Sequence, residues 1–176
     1  MTLHRSENCT FFPCRQDGSA DYIGSVAGRG FNINVAWNTR FDEKEQSTGL
    51  GSHEYRYACE ELLFPIANEF QPDLILISCG FDSAIHDPLG ESLLCPLAYF
   101  YMTSELLKIC RKLVVVQEGG YNTDYLGQHA SGVVKALLGV PKGDYGRPTQ
   151  ADRDAGLSKV EDIDGFKAKR WARDDV

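Results

Sequence analysis

The chain has 176 residues, 43% of them apolar, which suits one domain with a core of its own. A formal net charge of −7 argues against a general nucleic-acid-binding surface, and no apolar run approaches the roughly 18 residues of a membrane span. Cys9, Cys14, Cys59, Cys79, Cys95 and Cys110 show no CxxC spacing, and the start MTLHRSENCTFF lacks the apolar core of a signal peptide, so free thiols in a cytosolic or nuclear protein are expected.

Residues 1–30 read as loop, punctuated by Pro13, Asp17-Gly18-Ser19, Gly24, Gly28 and Gly30. Within it, Phe11 and Phe12 are two aromatics in a polar segment, most simply explained by packing under the loop. Phe31, Ile33, Val35 and Trp37 alternate with polar or small residues, the period-2 pattern of a strand with one polar face. Residues 39–51 form a charged connector. From Ser52 to Phe70, apolar residues recur every three or four positions, predicting an amphipathic helix capped by Ser52 and kinked or interrupted at Pro65.

Leu74 to Ile77 and Leu113 to Val116 are uninterrupted apolar runs, the mark of parallel strands buried on both faces. Leu97 to Cys110 between them is helical in pattern, with Pro96 suited to the first turn, so the three make a βαβ unit. Ligands of open α/β sheets sit beyond the carboxyl ends of the strands, which is where Asp82 and Tyr121 follow these two runs. Asp124 to Leu138 predicts a last helix, stopped by Gly139 ahead of Pro141. Residues 141–176 carry 8 basic and 8 acidic side chains, and read as a charged tail with one weak helix around Val160 to Lys167.

S-x-G-F-D-x-x-x-x-D-P-L-G over Ser78 to Gly90, followed by E-G-G-Y-N over Glu118 to Asn122, resembles the zinc-dependent histone deacetylase family in its class II branch. LHRSENCTFFP over Leu3 to Pro13 is similar to that family's L-H-R-Y-x-x-G-x-F-F-P segment, with Ser6 and Cys9 replacing the tyrosine and glycine. The resemblance covers about Leu3 to Gly139 and corresponds to the later half of the catalytic domain. It implies a three-layer α/β/α fold with a parallel sheet, of the arginase/deacetylase kind, lacking its N-terminal side, with residues 1–140 as the domain.

The resemblance also implies roles. Asp82 matches a zinc-binding aspartate, although the residues alone leave a helix-capping role equally open. Tyr121 matches the tyrosine that donates to the tetrahedral oxyanion, where some class II relatives carry histidine. Phe12, Leu89, Gly119 and Gly120 match the wall of the acyl-lysine tunnel. Leu89 stands where polyamine-preferring relatives place an acidic residue, which points to acetyl-lysine in a peptide or protein, such as histone tails or tubulin. Thr2, Leu3 and Phe31 align with sites for a structural monovalent cation. Glu118 is read as structural and Asp87 as a loop cap. A local metal site of Asp82, His86 and Asp87 is disfavoured, because Pro88 and the loop backbone oppose convergence of three nearby side chains.

The chain departs from the family at its metal centre. No D-x-H-H-G segment occurs, and His4, His53, His86 and His129 include no adjacent pair. Catalytic zinc takes three protein ligands, and one carboxylate does not hold it. The expectation is a deacetylase-type hydrolase inactive as an isolated chain, able to work only with a complementing deacetylase chain, or else a non-catalytic isoform or interaction fragment. Such a half-sheet is expected to leave an edge and apolar faces uncovered and to aggregate or seek a partner.

Overall fold

The computed structural model describes residues 1–38 and 50–141. The readings of most of the charged connector, and of the tail from 142 with its weak helix, lie outside the described residues. One unit spans Met1–Gly139.

Two parallel strand pairs organise it. β1 (Thr2–Arg5) pairs with β2 (Asn34–Trp37) in the register Thr2↔Asn34 to Arg5↔Trp37. β1 falls in the stretch expected to be loop, and β2 begins three residues later than the alternation predicts. The connection holds two short 3-10 turns, Gln16–Gly18 and Val26–Gly28, in place of a helix.

The first helical stretch runs as α1 (Ser52–Ala58), one π-helical turn (Cys59–Leu63) and α2 (Phe64–Phe70). The predicted break at Pro65 therefore appears one turn earlier, as a widened ladder in which the Phe64 N–H donates to the Cys59 carbonyl. Ser52 is not the cap. Gly51 holds that position and its N–H donates to the Glu54 carboxylate at 2.8 Å, while the Ser52 hydroxyl accepts from the Cys95 N–H at 3.0 Å.

β3 (Ile75–Cys79) and β4 (Leu113–Gln117) pair in parallel from Ile75↔Leu113 to Cys79↔Gln117, joined through α3 (Pro96–Ile109). This is the predicted βαβ unit. α4 (Thr123–Leu137) follows, and Gly139 leaves it at φ +70°. Leu94, Ala98, Tyr99 and Phe100 join Tyr55, Cys59, Phe81, Val133 and Ala136 in the core. One expectation fails in part, since the strands are not buried on both faces. Leu76 is 69% exposed, and Val114 and Val116 beside it are 47% and 52% exposed.

Candidate functional site

The ends of β3 and β4 bring the two motifs together. Beyond the last register pair, the Glu118 N–H donates to the Cys79 carbonyl at 3.1 Å and the Phe81 N–H to the Gly119 carbonyl at 3.1 Å. Asp82 and Tyr121 therefore leave the same, carboxyl edge of one strand pair.

Glycines shape the space around Asp82. A Cβ on Gly119 would lie 3.0 Å from Asp82 Cγ, and one on Gly80 would lie 2.7 Å from Oδ1. On the far side, a Cβ on Gly90 would stand 1.7 Å from the Asp82 carbonyl oxygen. Any side chain at these positions displaces the aspartate or its backbone, which explains three glycines spread over the two motifs. Two buried tyrosines brace the same loop: Tyr99 donates to the Gly80 carbonyl and Tyr55 to the Ser83 hydroxyl, each at 3.3 Å. Burial pushes both phenols above their ordinary pKa, so both remain protonated donors.

The Asp82 carboxyl is itself held above the usual aspartate pKa. Partial burial is the largest cause, its own N–H and that of Ser83 oppose it, and the Asp87 charge adds to the rise. The neighbouring Cys79 thiol is raised by burial to about 11.

Tyr121 is 57% exposed and begins the turn into α4. Gly120 before it sits at φ +128°, where a Cβ would meet Phe81 Cβ at 2.9 Å. Leu89 and Phe12 are 56% and 84% exposed. Phe12 therefore does not pack under its loop, whereas Phe11 does, with the Arg5 guanidinium 4.4 Å from its ring centre. Cys9 adopts φ +64°, a left-handed conformation that favours the glycine of the family's segment. The Thr2 hydroxyl meets His4 Nδ1 at 2.6 Å, Leu3 pairs with Val35, and Phe31 is 71% exposed with its edge on Phe70.

Three residues carry more of the site than their sequence signals gave them. Asp87 caps its loop as read, Oδ1 accepting from the Leu89 and Gly90 N–H groups at 2.9 and 3.1 Å, but its Oδ2 also accepts from the Tyr121 N–H at 2.7 Å. Asn122 caps α4 through the Asp124 N–H and donates to the His86 carbonyl at 2.7 Å. Asn-Thr-Asp ahead of a helix was the available sign of that cap. Arg5, nearly buried, pairs with Glu7 at 2.8 Å and Glu91 at 2.9 Å.

The histone deacetylase domain pattern matches residues 1–137. This chain belongs to the histone deacetylase domain family. It is 39% identical over 144 residues to histone deacetylase clr3 of Schizosaccharomyces pombe, covering 81% of this chain and 20% of that protein. It is 34% identical over 174 residues to polyamine deacetylase HDAC10 of Danio rerio, covering 98% of this chain and 24% of that protein. The crystal structure of the HDA15 HD domain superposes with a TM-score of 0.70 at 40% identity, over 78% of this chain and 36% of that one. These relatives are class II-like, and the fold is the α/β fold of the arginase/deacetylase proteins. The chain spans about a quarter or less of the length of the curated relatives named here.

The family is generally zinc-dependent. Among the described residues, no three His, Cys, Asp or Glu side chains gather to hold a metal. Asp82 is a half-buried carboxylate walled by glycines, a fitting single donor, but it is one where catalytic zinc takes three. These residues do not make a zinc site by themselves. Nor does any helix among them have the length and apolarity to cross a membrane.

Proposed function

We propose that this chain forms one side of a zinc-dependent lysine deacetylase centre. Asp82 would supply one carboxylate to a zinc ion, which would polarise the amide carbonyl and activate water, and whose other donors a segment of the D-x-H-H-G type would provide. Tyr121 donates its phenolic proton in a hydrogen bond to the oxyanion that develops as the acetyl-lysine amide is attacked. Phe12, Leu89, Gly119 and Gly120 line the path of the acyl-lysine chain, and Leu89, being apolar, favours a lysine in a peptide over a free polyamine. Thr2, Leu3 and Phe31 contribute to a structural monovalent-cation site. The setting is nucleus or cytoplasm, and the substrate an acetylated protein such as a histone tail or tubulin. The arrangement that supports this reading best is the Asp82 carboxylate against Gly119, two residues before Tyr121.

Zinc-loaded chain alone is expected to leave an acetyl-lysine peptide intact. Adding a polypeptide that carries the D-x-H-H-G segment and the His-His pair should bring turnover, which Tyr121→Phe then lowers roughly 10²–10³-fold. Turnover by the chain alone, abolished by Asp82→Ala, would overturn the split-site reading. An unchanged rate for Tyr121→Phe would remove the phenol from the chemistry. The exposed apolar face of Leu76, Val114 and Val116 favours a second reading, a non-catalytic chain that associates through that face.

A further inference from the structure

Tyr121 has little to fix its place by itself. Its ring is largely exposed, and it follows a glycine at φ +128°, a conformation open to glycine and rarely to other residues. What reaches it is a carboxylate 34 residues earlier in the chain. Asp87 Oδ2 accepts the Tyr121 N–H at 2.7 Å while Oδ1 accepts from Leu89 and Gly90. Capping its own loop requires only Oδ1, so the second oxygen is committed to the other motif. Beside it, Asn122 donates to the His86 carbonyl at 2.7 Å, closing a second tie between the same two loops.

We propose that Asp87 is a positioning residue that sets Tyr121 and the Leu89 wall in register through one carboxylate. The idea rests on the reading of Tyr121 as the oxyanion donor, but the geometry it asserts is measurable without turnover. A charged acceptor is worth more than a neutral one, so its loss should release the tyrosine amide markedly.

The experiment is amide hydrogen exchange on the full chain, residue by residue, in Asp87→Ala and Asp87→Asn. In Asp87→Ala, exchange at Tyr121, Leu89 and Gly90 is expected to rise together by roughly tenfold or more, while Ile77 and Val116, whose N–H groups face the partner strand, stay protected. Asparagine has one carbonyl oxygen, so in Asp87→Asn only one side of the pair keeps its protection. A 3-fluorotyrosine at position 121 gives the matching signature, a shifted or broadened fluorine resonance in Asp87→Ala. Unchanged protection at Tyr121 in Asp87→Ala overturns the proposal. Should that variant fail to fold, full protection on both sides in Asp87→Asn overturns it equally. If instead Tyr121→Phe leaves deacetylation unchanged in the complemented assay while the exchange pattern holds, the catalytic reading fails and the tie between the loops stands.

Discussion

The protein builds a parallel strand pair twice, and the two differ in what joins the strands. β3 and β4 are joined through α3, whose Ala98, Tyr99 and Phe100 are buried, and Tyr99 reaches back to the Gly80 carbonyl. β1 and β2 are joined by residues 6–33, a connection with Glu7, Asn8, Cys9, Cys14 and Val26 at positive φ and an exposed Phe12. The helical crossover yields a stiff edge on which backbone groups place Asp82 and Tyr121. The irregular crossover presents side chains to solvent on a backbone tied by polar contacts, such as His4 Nε2 to the Gly18 carbonyl at 2.9 Å. One sheet edge holds Asp82 and Tyr121 on a bonded backbone, and the other offers surface.

Glycine substitutions at the two edges should differ most in their effect on stability. A Cβ on Gly90 meets backbone atoms of Asp82, which have no rotamer to escape into, whereas one on Gly28 finds nothing within 4 Å. Gly90→Ala is therefore expected to cost more than about 4 kcal/mol, beyond the usual range for overpacking, or to prevent folding. Gly28→Ala should stay within about 0.5 kcal/mol. Urea unfolding of the two variants measures both. Equal midpoints would mean the Asp82 loop is not pressed against Gly90 at all.

The same contrast explains what the sequence discloses. Two apolar runs with a helical pattern between them, at the spacing of a βαβ unit, announce β3, α3 and β4, because each element's pattern is local. The departure of Asp82 and Tyr121 from one edge then follows from parallel topology. β1 is illegible, since Thr-Leu-His-Arg alternates no more than a loop does and its partner lies 32 positions away. The π turn is legible only as a fault near Pro65; where the ladder widens depends on packing. Burial of the strands is over-read, because an apolar run reports the capacity to be covered, and among the described residues Leu76, Val114 and Val116 are left open. Asp87 shows the limit at the site itself. Its role as a loop cap is local and readable, whereas its bond to Tyr121 joins two motifs.

Arg5 ties the irregular crossover to the β3–β4 edge. Its guanidinium joins Glu7 on one side with Glu91 and the Gly90 carbonyl on the other, and its side chain is 5% exposed. Arg5→Leu removes a nearly buried cation from both Glu7, whose side chain is only 10% exposed, and Glu91, and is expected to cost roughly 2–3 kcal/mol. Arg15, paired with Asp17 but 68% exposed, should tolerate the same change with no measurable shift in midpoint. If both variants unfold alike, the β1 segment is not fastened through Arg5.

The smallest expected effect lies away from both strand pairs, where the π turn meets α3. Glu60 accepts from Arg56 at 2.7 Å and from the Tyr101 hydroxyl, with the Arg56 guanidinium 4.9 Å from the Tyr101 ring centre. Burial alone would raise its pKa, but the hydrogen bonds from Tyr101 and Arg56 prevail and hold it below the ordinary glutamate value of 4.5. A carboxylate lowered by folding stabilises the folded state above that ordinary value, and the contribution fades as pH falls through the folded pKa. Glu60 is more than a third exposed, so solvent screening limits the gain to about 0.5 kcal/mol. Glu60→Gln should therefore lower the urea midpoint slightly at pH 7 and match the parent well below pH 4. A deficit that persists unchanged in acid would assign the loss to packing at the π turn, and would remove the charge from what holds α1 against α3.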